Sequence, residues 1–361
     1  MCGGICVGKK RVAVLFGGVS SEHDVSLASA ENVINSIPED KYDVYKIGIT
    51  KDGRWLKYDG PTELKGSKWE SHPSCVSACI LPDRCRRGIT VFEEDGVRTI
   101  DIDCVFPVLH GKNGEDGTMQ GLMELAGIPY VGCDMISSAM SMDKAVTNTI
   151  MDYAGIPQAK WVAITKYDYA KNSEELLSKA IDYLSLPIFV KPACAGSSVG
   201  VSKAVDMASL KKAMELAFLH DKKVVLEQTI VGREIECAVL GNDELQVATP
   251  CEITPGSEFY DYESKYIDDT TKIELVARLT AEQVEKLKEL AKKTYKALGC
   301  GGMARVDFFV SHDGEQMYLN EVNTIPGFTP ISMYPKMFEN TGKSYTALVS
   351  ELIELAIERS K

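Results

Sequence analysis

Residues 303–327 read MARVDFFVSHDGEQMYLNEVNTIPG, and the rest of the chain can be read outward from them. Two runs rich in β-branched and aromatic residues, 304–310 and 316–322, flank His312-Asp313-Gly314, which is turn chemistry. The pattern predicts a β-hairpin. Arg305 and Asp307 lie in its first strand, Glu321 and Asn323 in its second. Each pair is spaced by two, which puts both side chains on one sheet face. Two carboxylates and an amide oxygen on one face make a hard, oxygen-rich site suited to Mg²⁺, with room left for phosphate oxygens. Arg305 beside them would meet charge developing on such phosphates. A salt-bridged, solvent-facing strand pair is the plainer account. Against it, Asn323-Thr324-Ile325-Pro326-Gly327 runs straight from the strand into a tight turn with a backbone N–H to offer.

The 361 residues suffice for two or three domains with a sizeable core. A net charge of −12 disfavours nucleic acid and anionic membrane as partners. No apolar run approaches the roughly 18–20 residues of a membrane span. The first ten residues lack the charged and apolar regions of a signal peptide and read as an unstructured leader. The 11 cysteines are odd in number and scattered, several inside apolar runs, which is the pattern of a reducing, cytoplasmic compartment. Cys75, Cys79 and Cys85, near His72, match no paired metal-ligand spacing and read as free thiols.

Residues 12–16 form an apolar strand ending in Gly17-Gly18-Val19-Ser20-Ser21-Glu22-His23, and a helical pattern follows at 25–34, with Asp24 or Ser21 as cap. Strand, glycine turn and helix open a doubly wound parallel α/β domain. The turn lacks dinucleotide-fingerprint spacing, and Glu22 in it would repel a pyrophosphate but hold an ammonium. A first-turn glutamate stabilised by the helix dipole is the competing account. A second buried strand, 103–109, discharges into His110-Gly111-Lys112-Asn113-Gly114-Glu115-Asp116-Gly117, so His110 and Glu115 join Glu22 on one polar rim. Helices are expected at 118–126, 144–154, 173–184, 281–298 and 344–358, and strands at 42–49, 75–81, 88–92, 160–164, 187–191, 224–230, 235–240 and 245–251. Behind Lys191 comes Pro-Ala-Cys-Ala-Gly196-Ser197-Ser198-Val199-Gly200, a run of small residues able to fold over phosphates, though not a Walker loop. Glu227 and Glu234 flank a hinge after the strand at 224–230 and suit an adenine amino group or ribose hydroxyls. A polar loop with Tyr260, Tyr262, Lys265 and Tyr266 would clamp a ligand, or pack its rings down as a surface loop.

Lys144, Lys191, the Gly/Ser flap, the two-glutamate hinge and the Asp/Glu/Asn hairpin, in that order, resemble the ATP-grasp fold. With the GGVSSEHDVS turn, HGKNGEDG and YDYESKY, the chain is similar to the D-alanine–D-alanine ligases from Arg11 to its end. The resemblance implies an N-terminal substrate domain (11–132) followed by a two-lobed ATP-grasp fold (133–230 and 231–361). It implies ATP-dependent joining of two D-alanines through an acylphosphate for peptidoglycan synthesis, in the cytoplasm, by a homodimer that meets only small molecules. Lys144, Lys191 and Ser198 would hold ATP phosphates, Glu227 and Ile230 adenine, and Glu234 ribose. Asp307, Glu321 and Asn323 would bind two Mg²⁺ ions, with Mn²⁺ as a substitute. Glu22, near His110, would hold the first D-alanine, and Lys265, Ser332 and Met333 the second. Ser197 and Tyr266 would link flap and loop to Glu22, and Arg305 with the Gly327 N–H would form an oxyanion hole. Val276-Ala277 stands where the family commonly has Pro-Ala. D-Alanine–D-serine and D-alanine–D-lactate ligases are the alternatives within the fold, and Tyr266 disfavours both. A nucleotide-binding regulator without turnover is the alternative outside it, disfavoured by the intact Asp307/Glu321/Asn323 set.

Overall fold

The computed structural model describes residues 8–254 and 272–361. The first sheet comprises β1 (Lys10–Gly17), β2 (Tyr42–Ile49), β3 (Trp55–Tyr58), β4 (Val76–Ile80), β5 (Gly88–Glu93), β6 (Gly96–Asp101) and β7 (Cys104–Pro107), in the order β6-β5-β4-β3-β2-β1-β7. β1 pairs parallel with β2 and with β7. From β2 outward every pairing is antiparallel. The parallel centre explains the unbroken apolar run of β1, whose Val12, Ala13, Val14, Leu15 and Phe16 are fully buried, as a strand covered on both faces must be. The helix His23–Ser36 follows. Neither Ser21 nor Asp24 caps it: Glu22 occupies the cap position without a side-chain bond to the helix, and its own N–H donates to Ser20 Oγ at 3.1 Å. Glu22 is thereby left facing the turn.

The second sheet holds β8 (Trp161–Thr165), β9 (Ile188–Pro192), β10 (Ser202–Ala204) and β11 (Lys223–Gln228), antiparallel throughout, in the order β10-β9-β11-β8. The helix expected over 173–184 is present, and a short helical stretch precedes it from Lys166, where Thr165 accepts the Asp168 N–H; the two are separated by a kink at Asn172, whose φ of −152° and ψ of 55° are non-helical.

The third sheet contains β12 (Arg233–Leu240), β13 (Gln246–Val247), β14 (Cys251–Thr254), β15 (Lys272–Glu274), β16 (Met303–Val310) and β17 (Met317–Asn323), ordered β15-β14-β12-β16-β17, with β13 also paired to β12. The single strand expected over 245–251 is two, β13 and β14, both antiparallel to β12. Pro250, with no N–H for a ladder, falls in the break.

The helices after this sheet do not stay with it. Tyr334, Met337 and Phe338 of the helix Met333–Asn340, and Leu348, Leu352 and Ile353 of the helix Tyr345–Arg359, share one core with Val12, Val14 and Phe16 of β1. Tyr42 of β2 donates its hydroxyl to Glu354 at 2.8 Å. The chain's end is thus packed onto its beginning, which brings the first sheet's loops to the hairpin.

Candidate functional site

In the β16–β17 ladder Asp307 stands opposite Glu321 and Arg305 opposite Asn323. Between Asp307 and Phe308 the register shifts, so that Asp307 pairs with Glu321 but Phe308 with Leu319, and Asn320 is the extra residue. The bulge has a use: the Asn320 amide oxygen accepts from Lys191 Nζ at 3.4 Å. Arg305 lies over Asp307 in a two-pronged ion pair, Nε to Oδ1 at 2.8 Å and an Nη to Oδ2 at 2.6 Å, and its Nε also approaches Glu236 at 3.3 Å. Burial works against the guanidinium charge, but Asp307 and Glu236 more than offset it, so the group stays fully protonated. Asn323 donates Nδ2 to Asp307 Oδ2 at 3.0 Å.

A divalent cation fits this donor set by chemistry. Asp307 and Glu321 present hard oxygens from directly opposed positions, and Asn323 carries an amide oxygen on the same strand face. Among the described residues no three His, Cys, Asp or Glu side chains converge as a metal cage, so the amide and oxygens from outside the protein would have to complete the shell.

Both lysines stand nearby, half-buried. Lys144 opens the helix Lys144–Ala154 behind Asp143, which caps it by accepting from the N–H groups of Ala145 and Val146. Its ammonium donates to the Ala195 carbonyl at 2.8 Å, and burial pulls its pKa down. Lys191 on β9 pairs with Glu227 on β11 at 2.6 Å; burial opposes its charge, and Glu227 raises its pKa overall. Glu227 also accepts from Asn148 at 3.3 Å. Ile230 lies in the link between β11 and β12, and Glu234 near the start of β12, each half-buried.

The flap after Lys191 carries two consecutive non-glycine residues in the left-handed region, Ser197 at φ 49° and Ser198 at φ 58°. Such a pair persists only where its surroundings hold it. Ser197 is held by Glu22, to whose Oε1 it donates at 2.5 Å. Gly111, at φ +70°, lies under the same carboxylate: a Cβ there would fall 2.4 Å from Glu22 Oε2. Glu22 itself is buried, at 8 % exposure.

The turn after β17 is fastened to the first domain. His110 Nδ1 lies 3.1 Å from the Ile325 carbonyl and Nε2 lies 3.1 Å from Ser29 Oγ. Burial lowers the His110 pKa, so the ring is held neutral. Glu115 accepts the Gly111 N–H at 2.7 Å and the Ile325 N–H at 3.2 Å. Burial, and then the nearby charge of Glu22, push its pKa up to about 8. Beyond the turn, Ser332 Oγ accepts from the Thr329 N–H at 3.0 Å, and a Cβ on Gly327 would come within 2.6 Å of that oxygen. Met333 is buried beside it.

Glu115, Lys144, Gly196, Glu321 and Asn323 line one cavity of about 40 Å³. Glu22 adjoins it through Gly196, whose Cβ would stand 3.4 Å from Glu22 Oε2. The larger groove, about 680 Å³ between Leu290 and Tyr318, is lined by none of the expected site residues. Lys265 and Tyr266 lie outside the described residues. Two participants left little mark in the sequence. Asn320 is exposed to Lys191 only by the bulge, and Glu236 on β12 reaches Arg305 only through sheet pairing.

Residues 11–133 match the family model described as D-ala D-ala ligase N-terminus, and residues 150–354 match D-ala D-ala ligase C-terminus. The chain is 50% identical over 353 residues to the D-alanine--D-alanine ligase of Caldicellulosiruptor bescii, covering 98% of this chain and 96% of that protein. It is 49% identical to the D-alanine--D-alanine ligase of Acetivibrio thermocellus, covering 97% and 96%. Among solved structures it is similar to VanG D-Ala:D-Ser ligase from Enterococcus faecalis, at TM-score 0.89 and 44% identity, covering 97% of this chain and 100% of that one. It is also similar to the D-alanine-D-alanine ligase from Coxiella burnetii, at TM-score 0.85 and 35% identity, covering 98% and 95%.

Proposed function

The chain belongs to the D-alanine–D-alanine ligase family, and from that premise we propose that it joins two D-alanines to D-alanyl-D-alanine, converting ATP to ADP and phosphate. One observation supports assigning the chemistry to the residues described: Lys144, Glu321 and Asn323 of the hairpin, and Ala195 and Gly196 of the flap line a single cavity that Glu22 adjoins.

Glu22 holds the ammonium of the first D-alanine, with Ser197 orienting that carboxylate. The substrate's carboxylate oxygen attacks the γ-phosphorus of ATP, the bond to the β-phosphate oxygen breaks, and ADP leaves. Lys144 and Lys191 neutralise the phosphates electrostatically, Lys144 by giving up its bond to the Ala195 carbonyl. Two Mg²⁺ ions, held by Asp307, Glu321 and Asn323, would supply charge neutralisation at those same oxygens. Ser198 and the flap cover the phosphates, Glu227 and Ile230 meet adenine, and Glu234 meets ribose. In the second step the amine of the other D-alanine, held by Lys265, Ser332 and Met333, loses its proton and attacks the acylphosphate carbonyl. The oxyanion is met by Arg305, which Asp307 and Glu236 keep charged and fixed, and by the Gly327 N–H. Phosphate leaves and the peptide bond is complete. Closure matters because water would hydrolyse the acylphosphate. The same reading makes the protein a cytoplasmic homodimer serving peptidoglycan synthesis. Among the described residues no helix is long and apolar enough to cross a membrane.

The test is ADP release with D-alanine as first substrate and a panel of D-alanine, D-serine and D-lactate as second, with products identified by mass. D-Alanyl-D-alanine should dominate. The similarity to a D-Ala:D-Ser ligase makes D-serine the informative competitor, and a mainly D-alanyl-D-serine product would replace the reading with that one.

A further inference from the structure

The turn that carries Asn323 and Gly327 is held from outside its own sheet. Four backbone atoms of it are gripped by residues of the first domain. The Ile325 N–H donates to Glu115 Oε1 at 3.2 Å, and the Ile325 carbonyl lies 3.1 Å from His110 Nδ1. A carbonyl only accepts, so in the neutral ring the proton sits on Nδ1, and Nε2 accepts from Ser29 Oγ. That hydroxyl in turn accepts the Phe328 N–H at 3.2 Å, and Asn32 donates to the Phe328 carbonyl at 3.0 Å.

Of these groups Glu115 is the demanding one. Its two oxygens each accept a backbone N–H, one from Gly111 in its own loop and one from Ile325 across the domain junction. Only a carboxyl group of this length presents acceptors to both. Glutamine would turn an NH₂ against one of the two N–H groups, and aspartate is a methylene short. Glu115 also lines the cavity it shares with Lys144, Glu321 and Asn323. We infer that Glu115 is a positioning residue for the ligation step, setting through Ile325 the place of the Gly327 N–H and of Asn323. The inference rests on the roles proposed above for that turn.

The experiment compares full-length wild type with Glu115→Gln and Glu115→Asp. It measures steady-state kinetics for ATP and D-alanine, melting, and amide hydrogen exchange of the segment 323–328. Losing one bond at a site where placement matters should lower kcat about tenfold or more while KM for ATP stays within about twofold. Exchange should quicken in 323–328 and stay unchanged in the second sheet. A kcat within about twofold of wild type in both variants overturns the inference. So does a fall in kcat with unaltered exchange in that segment. Loss of cooperative melting in both variants would make Glu115 a folding brace and overturn it too. Wild type that makes no dipeptide in the same assay contradicts the ligase reading instead, which keeps the two failures distinguishable.

Discussion

Glu321 and Asp307 face each other across one rung of the hairpin, and at this scale charge, more than shape, is what their assignment requires. Glu321→Gln keeps the shape and removes the charge. It should abolish Mg²⁺-dependent turnover while leaving the melting temperature close to wild type; wild-type rates at ordinary Mg²⁺ would remove Glu321 from the metal set. Arg305→Ala should cost about a hundredfold or more in turnover, as the loss of an oxyanion donor does. It also removes the guanidinium that pairs with Asp307 and Glu236, so a loss of stability should accompany it. Rates must therefore be read below the variant's own melting transition. His110 gives a pH signature. Its folded pKa is depressed by burial from the ordinary 6.5, so as pH falls through that value the unfolded chain takes up a proton that the folded one refuses. Stability should decline on acidification through this window. Glu115, raised to about 8, works in the opposite direction over part of the same range. Subtracting the pH profile of His110→Gln from that of wild type isolates the imidazole, and a difference independent of pH would show that the ring is not held neutral.

Elements differ in how legible they were. The helices at 144–154 and 118–126 match their expected bounds because each combines a clear period with a stop, Gly155 and Gly127 in the left-handed region, and the strand at 42–49 matches as well. The helices Met135–Met142 and Met333–Asn340 gave no comparable signal: the first, MISSAMSM, mixes apolar and small residues without a polar face, and the second is placed by packing on the first domain. The hairpin was readable to its turn, but its bulge was not, since a register shift is decided by the partner strand as much as by the residues themselves. Site residues followed the same division. Those gathered in one motif stood out, while Glu236 meets Arg305 from a neighbouring strand and Asn320 meets Lys191 from another sheet, so neither carries a local pattern. The flap adds a prediction. The flap closes over a cavity of about 40 Å³, so the proposed ATP site requires the flap to move and the contact of Lys144 with Ala195 to break. Amide exchange over 193–200 should change when ADP is added, and an unchanged flap would mean that the nucleotide enters elsewhere.

Across the whole molecule, the last helix belongs to the first sheet as much as to the third. Leu352, fully buried, lies in the core shared by Val12, Phe16 and Tyr334. Leu352→Ala should cost about 2–5 kcal/mol. It should lower the stability of the N-terminal and C-terminal regions together, because the core it damages joins them. Separate transitions, with only the C-terminal one shifted, would show that the shared core does not couple them. That coupling brings His110 to the turn after the hairpin, and in the proposed mechanism a carboxylate is first phosphorylated and then attacked. The most direct measurement of that order uses D-alanine labelled with ¹⁸O in its carboxyl group. If an acylphosphate forms, the oxygen that bonded to phosphorus departs with it, and the released phosphate should carry one label for each D-alanyl-D-alanine made. Unlabelled phosphate, with dipeptide forming at the normal rate, would contradict the mechanism.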